Sequence, residues 1–433
     1  MKRVKVNVIT MGCFKNLVDS ERLLKRFAVA GIDAVHNAND FVDGIVVINT
    51  CGFICDAKQE SLGMILQACQ LKGEGRLKAV YVMGCLSERY RDELPPEIPE
   101  VDGWYGKFDW DGIIDAILGK VELPVKPWER VLTTPAHSAY LKIAEGCNRF
   151  CAFCAIPIMT GRYRSRSIEE IVDEVKDLVS RGVKEFNVIA QDLSYYGRDL
   201  YGKSELAHLL EAIADIEGVK WIRLHYAYPA DFPYDILPVM ASHENICKYL
   251  DIALQHIDDQ VLKNMHRHID ACETRELLAR IRREVPGINI RTTLMVGFPG
   301  ETEEAFNRLE EFVREQRFER MGAFAYCEEE DTAAAREFND DIPADVKQVR
   351  LDKIMAIQES IAAEINEEMI GRREMVIIDS EDEDYYVGRT QFDSPEVDQE
   401  VLISKDHLLK VGEMYMVEII DAQPFELVGK IVD

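Results

Sequence analysis

The feature that most constrains the fold is a repeated alternation, in which a short apolar run of strand type is followed by a longer amphipathic stretch and then by another strand. Parallel neighbours need a crossover of a dozen or more residues, and a helix supplies it, so this pattern predicts parallel α/β architecture. In the first part of the chain, strands are predicted over Val4–Thr10, Gly44–Thr50 and Lys78–Gly84. Helices are predicted near Asn16–Ala30, Ala57–Leu71 and Trp110–Leu118. Residues 1–122 therefore read as an open parallel α/β sheet domain. Residues 123–137, with Pro124, Pro127 and Pro135 and no clean period, read as a linker.

The alternation then resumes. Strands near Tyr140–Ala144, Glu185–Ala190, Trp221–Tyr226, Tyr249–Ala253, Ile288–Val296 and Met321–Tyr326 are predicted. Helices over Ser167–Arg181, Ser204–Ile216, Pro233–Ala241, Thr274–Glu284 and Thr302–Gln316 fit between them, giving a partial (β/α) barrel over 138–342. Pro343 opens a connecting helix over 343–365, with Val346, Val349, Ile354, Ile357, Ile361 and Ile365 along one stripe. The tail, 366–433, changes to short β-rich runs at Met375–Asp379, Tyr385–Thr390, Glu400–Ile403, Met414–Ile420 and Glu426–Ile431, which predict a small antiparallel β-barrel. The fold class is α/β multidomain.

Composition narrows the partners. No apolar stretch approaches the roughly 18 residues of a membrane span, and the charged start Met1-Lys-Arg-Val lacks the pattern of an export signal, so no membrane and a cytoplasmic location are expected. The chain carries 51 Lys and Arg against 78 Asp and Glu, a net charge of −27. Residues 366–433 alone hold 18 acidic against 6 basic side chains, and include the run Asp379-Ser-Glu-Asp-Glu-Asp384. Such a surface repels phosphate and attracts a basic partner, a solvated loop with no partner being the plainer reading of the run itself.

Eleven cysteines in a reducing compartment are metal ligands, redox groups or buried hydrophobes before they are disulfides. Cys147-Asn-Arg-Phe-Cys151-Ala-Phe-Cys154 directly follows the first predicted barrel strand. Three thiolates can hold three irons of a 4Fe-4S cubane and leave the fourth open to an exogenous ligand. Zinc is the alternative, but no fourth Cys or His stands nearby at ribbon spacing. Cys13, Cys51 and Cys85 form a second set, each just past the carboxyl end of a predicted strand. In an open parallel sheet those ends converge on one crevice, which suits a second 4Fe-4S cluster; three buried structural cysteines would need the same offset by coincidence. Cys69, Cys247, Cys272 and Cys327 read as packing residues, and Cys55 as facing away from Cys51. His225, His256, His266 and His268 show no metal-binding pairing and read as polar or core positions.

The triplet at 147–154 resembles the radical S-adenosylmethionine (SAM) superfamily, in which SAM chelates the open iron and an electron from the cluster cleaves its sulfonium. Further matches are Met11-Gly-Cys13-Phe-Lys-Asn16 with Asp19-Ser-Glu21, Asn49-Thr-Cys51-Gly-Phe53, Gly84-Cys85-Leu86, Ala190-Gln191-Asp192, Gln255-His256 and Arg291-Thr-Thr-Leu-Met-Val-Gly-Phe-Pro-Gly-Glu-Thr302. With these the chain is similar, over essentially its whole length, to the methylthiotransferase family. The resemblance implies an amino-terminal methylthiotransferase domain, a radical SAM barrel and a carboxyl-terminal TRAM barrel. It implies two 4Fe-4S clusters and SAM: one cluster, on Cys147, Cys151 and Cys154, generates a deoxyadenosyl radical. The auxiliary cluster, on Cys13, Cys51 and Cys85, presents sulfur that a second SAM methylates. No catalytic residue beyond the cluster ligands is expected. Gln191, Arg291 and Gly297, at predicted strand ends on the barrel's active face, are expected SAM contacts, with packing roles equally open.

Two branches of that family differ in substrate: one modifies an aspartate of small-subunit ribosomal protein twelve, the other an adenosine of transfer RNA. The acidic tail suits the basic ribosomal protein, free or within its subunit, and nucleic-acid binding is not expected. Asp192 after Gln191, and Tyr195-Tyr196-Gly197, resemble the protein-modifying branch, the RNA branch being expected to carry Asn in place of Asp. Thr160, Ala253 and Cys327 depart from the family's usual residues. A reductant protein such as flavodoxin or ferredoxin is implied. The alternatives are the RNA-modifying enzyme and, further off, a non-catalytic iron–sulfur electron carrier.

Overall fold

The computed structural model describes residues 4–432. Its first sheet contains β1 (Lys5–Thr10), β2 (Asp33–His36), β3 (Ile45–Thr50), β4 (Ala79–Gly84) and β5 (Gly103–Trp104) in the order β2-β1-β3-β4-β5, all parallel. Side chains alternate across the pleat, so each face gains its own core. Val6, Val8 and Val47 pack with Leu23, Leu24 and Phe27 of the helix Phe14–Val29. Val46, Ile48, Val80 and Val82 pack on the other face with Ile65 and Ala68 of the helix Cys55–Gly73. The edge strands β2 and β5, four and two residues long, are additions to the expected three; β2 is half exposed and β5 too brief to show a period.

The second sheet contains β6 (Ser138–Lys142), β9 (Glu185–Ile189), β10 (Trp221–Ala227), β11 (Ile246–Gln255), β12 (Asn289–Val296) and β13 (Arg320–Ala325). Its order is β13-β12-β11-β10-β9-β6, all parallel, without closure between β13 and β6. A short antiparallel pair, β7 (Ala144–Glu145) with β8 (Arg164–Ser165), brackets the cysteine triplet. All six expected strands of this sheet are present, with helices at Ile168–Ser180, Leu206–Ala214, Ile236–Ser242, Ala271–Glu284 and Glu303–Gln316 between them.

The tail forms β14 (Arg373–Glu381), β15 (Tyr385–Thr390), β16 (Glu400–Ser404), β17 (Met414–Gln423) and β18 (Glu426–Ile431), closed in the order β14-β15-β16-β18-β17. Closure comes through one parallel pair, β16 with β18, so the barrel is not purely antiparallel. Val376, Ile378, Val401, Ile403, Val417, Ile419 and Leu427 fill it. The helix Ala344–Glu367 leads into it and buries Ile354, Ile357 and Ile361; Val349 lies off that stripe and is 54 % exposed, and Pro343 is the cap and not the first helical residue.

The barrel is bolted to the second sheet by buried charge. Glu185, with no exposure, accepts from Arg389 Nη1 and Nη2 at 3.0 and 2.8 Å and from Arg223 Nη2 at 3.1 Å. Burial alone would raise this carboxyl, but Arg389 and Arg223 outweigh it and hold the group well below the usual carboxylate range. The same joint corrects the expected acidic patch. Asp379 accepts from Arg389 Nε and Nη2 at 2.7 and 2.9 Å and stands 2.8 Å from His137 Nε2, so its charge is neutralised. Asp382 accepts the N–H groups of Asp384 and Tyr385, and Glu381 pairs with Lys405 at 3.2 Å. The exposed negative surface of the run is confined to residues 381–384.

Candidate functional site

Parallel pairing aligns the carboxyl ends of β1, β3 and β4, and a cysteine follows each. Cys13 is the extended cap of the helix Phe14–Val29, Cys51 follows β3, and Cys85 opens the helix Cys85–Arg89. Buried polar side chains tie the three ends together. Asn16 Nδ2 donates to the Met11 and Thr50 carbonyls at 3.1 and 3.0 Å, and Asn49 Nδ2 donates to Asn16 O and Ser20 Oγ at 2.8 and 3.0 Å. Thr50 Oγ1 donates to Met83 O at 2.6 Å, while Ser61 Oγ accepts the Cys51 N–H at 3.0 Å. Gly12, at φ +81°, has Cys51 Cβ and Sγ only 2.6 and 2.7 Å from where a Cβ would stand, so no other residue lets the Cys13 segment approach Cys51 this closely.

The electrostatics differ among the three thiols. Burial would raise the Cys13 thiol, but Lys15 and Lys107 outweigh it and hold the group below its ordinary value. Burial pushes Cys51 up, and Cys85 up to about 12, with Lys107 opposing in both. Lys107, 1 % exposed, thus acts on all three sulfurs. Metal ligation itself takes the proton from a thiol, and the buried cation would offset part of the charge that results.

The second triad is a loop. Gly146, at φ +74°, faces the Arg162 carbonyl 2.2 Å from where a Cβ would lie, and so admits the tight exit from β7. Within the loop, Cys147 N–H donates to Gly161 O at 3.2 Å, Ala152 N–H to Met265 O at 2.9 Å and Cys154 N–H to Cys151 O at 3.0 Å. Charge and aromatic rings then fix it. Arg149 donates to Asp192 at 2.7 Å and Asp231 at 3.1 Å, and its guanidinium lies 4.2 Å from the Tyr228 ring centre. Arg267 lies 4.0 Å from the same ring centre and donates to Cys151 Sγ at 3.5 Å. Burial pushes Cys147 up to about 11, and raises Cys154 with the neighbouring Cys151 adding to it.

The two triads occupy facing elements. Cys85 packs with Ala155, Ile156 and Met159, the residues that closely follow Cys154. Phe14, next to Cys13, stacks on Tyr140 of β6 at 4.1 Å. Asp19 binds the buried Lys142, and Arg130 binds Glu21 and Glu174 at 2.5 and 2.8 Å. Lys58 and Arg89 hold Glu329, beyond β13, at 2.7 and 2.9 Å. The Asp19-Ser20-Glu21 motif therefore fixes the first sheet against the second.

The expected cofactor contacts separate. Gln191 follows β9 at its carboxyl end, half buried and without a side-chain hydrogen bond among the described residues. Gly297 follows β12; its N–H donates to Glu301 Oε1 at 2.9 Å, and Lys347 Cγ is 2.4 Å from where a Cβ would stand, so close packing accounts for the glycine. Arg291 is not at a carboxyl end: it is the third residue of β12 and donates to Asp398 at 3.2 Å, in the joint with the tail barrel. His256 packs on Glu301 at 3.1 Å, and His225 is buried, as core positions. Cys69 and Cys247 are buried, whereas Cys272 and Cys327 are exposed and do not pack. Sequence reasoning missed Lys15, Lys107, Tyr228 and Arg267, whose places depend on the assembled sheets; Arg149 was visible inside the triplet but carried no signal of its partner.

Among the described residues no three Cys, His, Asp or Glu side chains close on one point as ligands of a single ion do. Thiolates of one tetrahedral zinc stand about 3.8 Å apart at Zn–S of about 2.3 Å, whereas a cubane spreads its ligands over separate irons. Three thiolates can serve three irons of a cubane and leave the fourth open, so each set of three thiols would suit one.

Residues 141–313 match the radical SAM superfamily, 370–432 the TRAM domain, and 5–106 an uncharacterized protein family, UPF0004. The chain is 58 % identical to the ribosomal protein uS12 methylthiotransferase RimO of Phocaeicola vulgatus over the whole of both chains. It is 55 % identical to the protein of that name from Porphyromonas gingivalis, again over the whole of both. With that of Cytophaga hutchinsonii the identity is 48 %, over 100 % of this chain and 98 % of the relative. Among solved structures, the radical SAM methyltransferase TsrM from Kitasatospora setae, with cobalamin and a [4Fe-4S] cluster bound, shares the fold at TM-score 0.56 and 14 % identity, over 75 % of this chain and 72 % of TsrM.

Proposed function

The chain belongs to the RimO family of ribosomal protein uS12 methylthiotransferases, and on that premise we propose that it adds a methylthio group to the β-carbon of an aspartate of uS12. The observation that carries this reading is the packing of Cys85 on Ala155, which faces one three-thiol set with the other. Cys147, Cys151 and Cys154 would hold the cluster that binds SAM, and Cys13, Cys51 and Cys85 the auxiliary one. When bound, the two 4Fe-4S groups supply, respectively, a deoxyadenosyl radical from SAM and the sulfur of the methylthio group.

The chain's own residues position and shield. Arg149 and Arg267, both stacked on the Tyr228 ring, fix the loop of the first set, Arg149 being tied in addition to Asp192. Lys107 would offset the negative charge that three thiolates would bring to the second set. Gln191, just past β9 and without a side-chain hydrogen bond among the described residues, is a candidate contact for SAM. A basic ribosomal protein suits a chain of net charge −27, a cytoplasmic location follows from that substrate, and a flavodoxin- or ferredoxin-type protein would deliver the electron. The test is deoxyadenosine release and mass gain on incubation with uS12 and, separately, transfer RNA. Methylthiolated uS12 is expected; modified RNA with unmodified uS12 would overturn the reading.

A further inference from the structure

Four lysines are buried among the described residues: Lys15, Lys107, Lys142 and Lys347. Three are partnered. Lys107 has Asp19 and Glu145 at 3.9 and 3.8 Å, Lys142 binds Asp19 and Glu145, and Lys347 has Asp340 at 2.5 Å. Lys15, 6 % exposed, has among the described residues neither a carboxylate within ion-pair distance nor a hydrogen bond from Nζ. What it has is the face of Tyr226, with Nζ 3.5 Å from the ring centre. The acidic groups that act on it, Cys13 first and then Asp251 and Glu145, do so only through space; Cys13 is a ligand that a cluster would claim, and Asp251 uses its carboxylate on the Tyr226 N–H at 3.2 Å. Withdrawing an ammonium from water without a carboxylate at ion-pair distance is costly, and a neutral ring returns only part of that cost.

The place of this cation is as telling as its isolation. Lys15 is two residues from Cys13, in the helix Phe14–Val29 that follows β1, while Tyr226 is near the carboxyl end of β10 in the second sheet, the face on which parallel barrels bind substrate. Tyr226 holds φ +64°, a left-handed backbone that a tyrosine adopts only when its surroundings impose it. On the uS12 reading the group to be modified is the carbon beside a carboxylate, and it must lie within reach of both triads.

We propose that the Lys15 ammonium is the anchor for the side-chain carboxylate of the substrate aspartate, so that Lys15 and Tyr226 select the residue to be modified. This rests on the uS12 reading above. A charge-assisted pair in a water-poor site tells carboxylate from the isosteric amide, because the amide leaves the ammonium buried beside a neutral group.

The test measures binding of uS12, and of uS12 with the target aspartate changed to asparagine, to the reconstituted enzyme and to its Lys15→Met and Lys15→Arg variants. Iron content and the cluster's electron paramagnetic resonance spectrum confirm that both metal sites are retained. The parent should bind the aspartate form about 10-fold more tightly than the asparagine form; Lys15→Met should bring the ratio to about 1, and Lys15→Arg should restore most of it. If the parent binds and methylthiolates uS12 but Lys15→Met keeps the parent's ratio, or weakens both forms equally, the anchor is elsewhere and the inference is overturned. Should Lys15→Met fail to hold its clusters, the parent and Lys15→Arg still decide: equal binding of the two uS12 forms by the parent overturns the inference. Failure of the parent to modify uS12 at all would instead remove the functional reading beneath it.

Discussion

Cys147, Cys151 and Cys154 lie within eight residues of a single loop, whereas Cys13, Cys51 and Cys85 are gathered from the ends of three strands. The loop is held by charge and aromatic rings, through Arg149, Asp192, Tyr228 and Arg267. The strand ends are held by neutral amides and hydroxyls, through Asn16, Asn49, Thr50 and Ser61. A local triad needs only its turn geometry and a few anchors, while a distributed one needs the whole sheet in register, because a shift of one residue would turn a cysteine to the opposite face. The first can travel between folds as a motif; the second exists only in the folded sheet.

The largest effects should come from deleting each triad. Cys147, Cys151 and Cys154 all replaced by Ala should leave about four of about eight irons and abolish deoxyadenosine formation. Full iron retention in that variant would remove the loop from the metal sites. The matching Cys13, Cys51 and Cys85 variant should still cleave SAM reductively yet attach no methylthio group; normal product would make the strand-end triad structural and dissolve the comparison.

The supports should fail in step with what they support. Asp192→Ala strands Arg149 beside a Tyr ring with only the exposed Asp231, and a loss of about 3 kcal/mol is expected from breaking such a pair. Its iron loss should be confined to the loop triad, as read in the variant lacking the other three cysteines. Asn49→Ala removes two buried donations and should cost about 1–3 kcal/mol in denaturant unfolding, with iron lost from the strand-end triad alone. Crossed results, with either variant emptying the opposite site, would show that the two supports are one coupled network.

The smallest effect is expected far from both triads. Neutralising Glu381, Glu383 and Asp384 as Gln or Asn, while leaving Asp382 to hold its turn, should slow uS12 association a few-fold at about 0.1 M salt. The rate of dissociation and substrate-free SAM cleavage should stay as they were. An unchanged association rate at low salt would reduce the run to a solvated turn.

Much of the fold and of both triads is legible in the amino-acid sequence. Strand positions follow from apolar runs, and the offset of Cys13, Cys51 and Cys85 from those runs announces their convergence, since parallel strands share one carboxyl edge. The short edge strands β2 and β5 are not legible, because so few residues show no period. The acidic run misleads in part: composition counts Asp379 as surface charge, yet Arg389 and His137 claim it in a joint between parts of the chain far apart in sequence. Arg291 misleads in the same way, expected as a cofactor contact and found on Asp398.

What the sequence determined by itself was therefore what is periodic or local: the alternation of strand and helix, the eight-residue cysteine triplet, and three more cysteines one to three residues past strand ends. The tertiary structure alone decided which charge meets which. It placed Lys107 beside three thiols, set both Arg149 and Arg267 against Tyr228, and left Lys15, among the described residues, against the Tyr226 ring with no carboxylate at ion-pair distance. The physical reason is range. Backbone pairing and side-chain periodicity are fixed by neighbours along the chain, but the energy of a buried charge depends on every group within several ångströms, and those groups come from anywhere in the sequence.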